Sequence, residues 1–206
     1  EVFNSVTVTV EGSFEISKST CDSGVCSFVC TITVVITDGI EDDVIFIDAS
    51  TTSEYMGPYL LDKKNLTVIT NNNALAEFLA DAGVTVIILG GRIVEVPTMT
   101  DGEATVEQLL RYRADKCFFS TGGFTEEGDI LSGSIYYSLH RAMLRNARES
   151  YFLADRTKIG SGGTHMICDF SALSGVICDK VFSREIQEKF PSTHFYTVKS
   201  EEPTAE

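Results

Sequence analysis

Five short stretches hold the residues whose types and spacing could do chemistry. Asp48-Ala49-Ser50-Thr51-Thr52 sets an acid, a small residue and a run of hydroxyls directly behind the apolar run Val44-Ile45-Phe46-Ile47. Thr70-Asn71 closes a second apolar run with groups that both donate and accept hydrogen bonds. Gly90-Gly91-Arg92 and Ser120-Thr121-Gly122-Gly123 contain glycines whose backbone lacks side chains, so something else can approach closely. Asp155-Arg156-Thr157-Lys158 supplies a cation beside Gly160. Free amides at a helix start, alcohols and one lysine together suit an oxyanion carrying hydroxyls. The expectation is a phosphate held at Ser50–Thr52, with Asp48, Thr70, Asn71, Gly90, Gly91, Arg92, Gly122, Gly123, Asp155 and Lys158 around the rest of the ligand. Each stretch also has a plain turn explanation. Ser50 by itself equally reads as a helix cap. Convergence of the stretches on one edge is what favours a polar cleft.

Other chemistries find little support. His140, His165 and His194 lack a serine or cysteine at a nucleophile elbow. No HExxH or phosphate-loop motif occurs. The spacing of Cys21, Cys26 and Cys30 is not that of a standard zinc site. Neither a metal nor a cofactor is expected. Cys117 and Cys178 fall inside apolar runs and are expected in the core.

The elements that must position these residues are legible from periodicity. Apolar, Val- and Ile-rich runs predict strands at 44–48, 66–70, 84–89, 115–119, 150–154 and 175–178. Helical patterns lie between most of them. Ala74, Leu75, Phe78, Leu79 and Ala82 form one apolar face, with Asn72 or Asn73 to cap its start and Gly83 at its end. Val106, Leu109 and Leu110 mark a second helix, and others are expected at about 134–148 and 183–189. On the third, Arg141, Arg145 and Arg148 form a basic stripe, read as a solvated face for the last two. The alternation predicts an α/β, Rossmann-like fold with a mostly parallel sheet flanked by helices. Ligands on such sheets gather at the carboxyl ends of the strands. Residues 1–39 differ: Val6, Val8 and Val10 alternate with threonines, and Thr31–Ile36 is another β-like run, so a β-rich arm is expected. Residues 40–198 form the main domain, and 199–206 a short acidic tail expected to be disordered.

The totals exclude several classes. With 30 acids against 16 bases, the net charge is −14 over 206 residues. That opposes binding of nucleic acid or an anionic membrane by this chain. An anion must therefore be bound locally, against the overall field. No apolar run approaches the roughly 20 residues needed to span a bilayer, and no signal-peptide layout opens the chain. A cytoplasmic setting with reduced thiols is expected.

In order along the chain, Val44–Thr52, Leu66–Asn71, Leu89-Gly90-Gly91, Arg113–Phe118, Arg141-Ala142-Met143, Ala154–Gly160 and Val176–Asp179 resemble the C-terminal effector-sensing domain of DeoR-type transcriptional regulators. The resemblance covers about 40–198. It implies a fold like ribose-phosphate isomerases and CoA transferases, and a phosphorylated sugar as effector. It further implies operator DNA contacted only through a helix-turn-helix domain absent from these residues, and a homodimer or homotetramer. An isomerase using Asp48 or Asp155 as general base is the alternative that the fold kinship raises. Three features depart from the family's pattern. Ala49 stands where Gly is usual. Ser138 and His140 stand where Glu and Lys are frequent. Residues 1–37 do not match the expected helical connector.

Overall fold

The computed structural model describes residues 40–94, 99–133 and 137–197, and the backbone of three strands ahead of them. Those strands, β1 (Ser5–Thr9), β2 (Phe14–Ser19) and β3 (Thr31–Ile36), pair antiparallel in that order as a sheet of their own. Cys21, Cys26, Cys30 and the expected tail at 199–206 lie outside the described residues.

From residue 40 the chain alternates. β4 (Val44–Ile47) leads through the short helix α1 (Thr51–Glu54) to β5 (Thr67–Thr70), α2 (Asn73–Asp81) and β6 (Thr85–Ile88). An antiparallel pair, β7 (Arg92–Val94) and β8 (Met99–Asp101), and α3 (Glu103–Leu109) precede β9 (Ala114–Phe119). The hairpin β10 (Gly123–Phe124) and β11 (Asp129–Ser132) is followed by α4 (Tyr137–Asn146) and β12 (Ala147–Ala154). A 3-10 turn at Arg156–Lys158 then leads to β13 (His165–Asp169), β14 (Gly175–Cys178), α5 (Arg184–Lys189) and β15 (His194–Thr197).

Seven strands form one sheet in the order β15-β14-β12-β9-β4-β5-β6. Every pairing within it is parallel. The fold is therefore α/β and Rossmann-like. The chain winds outward from β4 through β5 to β6, then returns to lay β9 on the other side of β4. The direction of winding reverses between β4 and β9, and a crevice at the carboxyl ends of two such strands is where ligands bind in open α/β sheets.

Side-chain alternation explains why the central runs are apolar throughout. Ile45 and Ile47 face one core with Leu75 and Leu79 of α2, while Phe46 faces the other with Leu109 of α3 and Leu139, Ala142 and Met143 of α4. A strand covered on both faces needs apolar residues at every position. Asn72 caps α2 by accepting from the Leu75 amide at 3.0 Å. Gly83, at φ +87°, ends it in the left-handed conformation that glycine adopts without strain.

Three features differ from the sequence expectation. The helix expected to run to 148 stops at Asn146, whose side-chain amide folds back onto the Ala142 carbonyl at 2.8 Å. Ala147 and Glu149 instead pair with β9. Arg148 thus sits on a strand beside Asp115 at 3.1 Å, and Arg141 donates to the Met166 and Ile167 carbonyls, so the basic stripe is not continuous. β15 joins the sheet at its edge where no strand was expected. A small sheet of β10, β11 and β13 was also unforeseen, because β10 has only two residues and β11 and β13 carry polar residues at both ends, which breaks the apolar run.

Candidate functional site

The turn after β4 is held rigid. The Asp48 amide donates to the Phe118 carbonyl of β9 at 3.2 Å, which ties the ends of the two switch-point strands together. Ser50 caps α1: its Oγ accepts from the Ser53 amide at 3.1 Å and donates to Asp48 Oδ1 at 2.8 Å. The amides of Thr51 and Thr52 open the helix and have no intrahelical acceptor. The turn is thus both a capped helix start and an opening onto the crevice.

Lys158 enters from the 3-10 turn after β12. Its Nζ donates to Ser120 Oγ at 2.7 Å and Thr52 Oγ1 at 3.1 Å. Glycines place it there. A Cβ on Gly123 would lie 2.0 Å from the Ser161 carbonyl oxygen, so only glycine lets the loop after Lys158 cross β10. Gly160 donates to the Phe124 carbonyl at 2.8 Å, and Ser161 Oγ donates to the Gly122 carbonyl at 3.0 Å. Burial pushes the Lys158 ammonium below its ordinary range, while Asp155 and Asp48 pull it upward.

Across the crevice, His140 of α4 sets Nε2 3.1 Å from Asp48 Oδ2. That oxygen also accepts from the Ser120 amide at 3.2 Å. His140 Nδ1 is buried and has no hydrogen-bond partner among the described residues. Asp101, at the end of β8, is 3 % exposed. Its Oδ1 accepts from the Gly102 amide at 2.6 Å. Burial pushes its carboxyl up, opposed by that amide, His140 and Arg92. Asn71 clamps β8 to the end of β5, donating to the Thr100 carbonyl at 2.9 Å. Asp48, Ser50, Thr51, Asn71, Asp101, Ser120, Gly122, Ser132, His140 and Lys158 are among the walls of one cavity of about 310 Å³. That is the size of a pocket for a single small metabolite. Such a cavity can neutralise one anionic group and hydrogen-bond several hydroxyls.

The sequence model of the DeoR C-terminal sensor domain matches residues 33–180. The chain belongs to that family. Its relatives include the HTH-type transcriptional repressor GlcR of Bacillus subtilis, 29% identical over 142 residues, which are 68% of this chain and 55% of that protein. The glycerol-3-phosphate regulon repressor of Escherichia coli is 27% identical over 138 residues, 66% of this chain and 54% of that protein. The chain thus spans about half the length of the curated relatives it matches. Among solved structures, ribose 5-phosphate isomerase A of Neisseria gonorrhoeae aligns at a TM-score of 0.40 with 14% identity, covering 59% of this chain and 47% of that one.

In this DeoR sensor domain the sequence candidates divide. Asp48, Ser50, Thr51, Asn71, Gly122 and Lys158 line the cavity, and Thr52 reaches it through Lys158. The others are engaged elsewhere. Thr70 Oγ1 accepts from the Asn72 amide at 3.0 Å and shapes the turn beneath Asn71. The Gly90 carbonyl accepts from Thr105 Oγ1 at 2.8 Å, and a Cβ on Gly91 would meet that oxygen at 2.0 Å. This glycine pair seats α3 and does not face the crevice. Arg92 is exposed on β7. Gly123 packs under the Ser161 loop. Asp155 caps the 3-10 turn, accepting from the Thr157 amide at 2.8 Å, and acts on the site only through its charge. Ser138 is exposed and absent from the cavity wall, whereas His140 is part of it.

Asp101, Met99, Ser132, Leu139 and His140 were missed, and Ser120 and Thr121 stood in the fourth stretch without being assigned to the ligand. Asp101 had a signal, an acid directly before a glycine at a helix start. Cys117 and Cys178 are buried in the core, and burial raises both thiols, Cys178 to about 12. Neither is a nucleophile at neutral pH. Among the described residues no cluster of His, Cys, Asp and Glu could hold a metal ion, and no helix is long and apolar enough to cross a membrane.

Proposed function

We propose that this chain is the effector-sensing part of a DeoR-type transcriptional repressor and that a phosphorylated sugar occupies the cavity at the β4–β9 switch point. One observation carries the reading. In a protein of net charge −14, a partly buried ammonium is fixed by Ser120 Oγ and by Thr52 Oγ1 of the first turn of α1. An isolated ammonium there loses solvation, and a phosphate would restore it. The phosphate takes Lys158, Thr51 and the amides of Thr51 and Thr52, while the sugar hydroxyls face Asn71, Asp101 and Ser132. One relative, the repressor of a glycerol-3-phosphate regulon, supports the ligand class.

Ligand binding then shifts the operator affinity of a helix-turn-helix domain carried outside these residues. Such a shift requires the ligand to bind one conformational state better than the other. The regulator acts in the cytoplasm as a homodimer or homotetramer, with its symmetry matching that of the operator. The test is thermal unfolding with glucose 6-phosphate, glycerol 3-phosphate and the unphosphorylated parent compounds. The esters are expected to raise the melting temperature, the parents to leave it unchanged, and the pair Ser50→Ala, Thr51→Ala to remove most of the shift. No shift with any ester contradicts the reading.

The Asp48–His140 contact favours one second reading, a sugar-phosphate isomerase with Asp48 as base. Against it, Asp48 already accepts from Ser50 Oγ, the Ser120 amide and His140 Nε2, so both of its oxygens are engaged by the protein. Turnover of ribose 5-phosphate or glucose 6-phosphate, abolished in Asp48→Asn, would establish the enzyme instead. None is expected.

A further inference from the structure

The cavity wall has two chemically different parts. One is the Lys158 side, with Ser120 and Thr51. The other is Asp101 with His140, where Asp101 interacts electrostatically with His140 and Arg92, while Lys158 interacts with Asp48 and Asp155. Counted over the described residues of the wall, two carboxylates, Asp48 and Asp101, face one ammonium. Both acids are 3 % exposed. Once a phosphate has taken Lys158, no second lysine or arginine of that wall remains to meet another anion.

Hydroxyls fare differently there. Asp101 has spent one oxygen on the Gly102 amide, and a carboxylate accepts more than one bond. The carboxylate oxygens of this part of the wall suit groups that donate.

We propose that the site accepts phosphate esters of uncharged polyols and excludes the corresponding phosphorylated sugar acids, with Asp101 as the discriminating residue. The proposal rests on the phosphorylated-sugar reading above and narrows it. A ligand carboxylate would lie against Asp101 and Asp48 in a cavity that water screens poorly, where like charges repel strongly.

Calorimetric titration of the full chain with two matched pairs tests it: glycerol 3-phosphate against 3-phosphoglycerate, and glucose 6-phosphate against 6-phosphogluconate. Within each pair the phosphate is kept and the terminal carbon, an alcohol in the first pair and a ring hemiacetal in the second, becomes a carboxylate. The ester without the carboxylate is expected to bind about tenfold more tightly or better, about 1.4 kcal/mol. Asp101→Asn keeps an acceptor for the Gly102 amide and removes the charge, so it should narrow that ratio by about the same factor. Circular dichroism melting establishes that the variant is folded; should it not fold, the wild-type ratios decide. An acid binding as tightly as its partner without the carboxylate in either pair overturns the proposal, and so does an unchanged ratio in folded Asp101→Asn. Failure of all four esters to bind overturns instead the reading on which it rests, and this proposal with it.

Discussion

Lys158 has to stay protonated where burial works against it, and this gives the site a pH signature. Its folded pKa is lowered from 10.5, chiefly by desolvation. A bound phosphate dianion favours the protonated form. Affinity is therefore full below the pKa of Lys158 in the free protein and declines as pH rises through it, at a pH short of 10.5. Titrations of glycerol 3-phosphate across the alkaline range should show that decline. An affinity flat to beyond 10.5 would mean that Lys158 does not touch the ligand. Asp101 gives a second prediction with its own sign. Its folded pKa is raised above 3.8 by burial. The unfolded chain therefore gains more from ionisation, and the folded state is penalised at pH above 3.8. Asp101→Asn should raise the melting temperature at neutral pH, and the gain should vanish as pH falls below 3.8. Stability given up at a binding residue is a common cost of function.

At the scale of elements, the glycine pair before β7 separates packing from binding. Gly91→Ala would drive a methyl into Thr105 Oγ1 at 2.0 Å. The strain should cost about 1–3 kcal/mol by urea denaturation, because α3 must move. A neutral Gly91→Ala would contradict this account of why glycine stands there. The same pair shows what sequence could reveal. Six strands were legible as apolar runs, the inner ones because cover on both faces demands them and edge strand β6 by its Val and Ile despite exposed ends, and Asn72 and Gly83 bounded α2 by their conformational habits. Glycine, by contrast, signals close approach without saying what approaches: Gly90 and Gly91 yield to α3, Gly123 to the Ser161 loop. Asp155 looked like a ligand residue because an acid beside a lysine reads the same whether it caps a turn or lines a cavity. Asp101 and His140 reach the crevice from elements distant in sequence, and only the crossing of α4 and β8 over the sheet brings them beside Asp48. The end of α4 was misjudged since local helical spacing continues past Asn146, while pairing with β9 is non-local.

For the whole molecule, the switch point matters because the two cores meet the site from opposite faces. Ile47 and Phe118 belong to one core, Phe46 and Phe119 to the other. Phe152, in β12 next to β9, is fully buried against Phe119 and Phe124. Phe152→Ala should cost about 3–5 kcal/mol, which circular dichroism during urea unfolding would show as a lowered midpoint. Loss of less than about 1 kcal/mol would place Phe152 outside a packed core. The central claim is that one partly buried ammonium and the amides opening α1 hold a phosphate in a protein otherwise hostile to anions. Thermal unfolding with glucose 6-phosphate and glycerol 3-phosphate, in wild type and Lys158→Met, tests it most directly. For an ester that binds, a hundredfold excess over its dissociation constant should stabilise the wild type by about 2.7 kcal/mol, with little or no shift in folded Lys158→Met. Equal stabilisation of both proteins, or of neither, would contradict it.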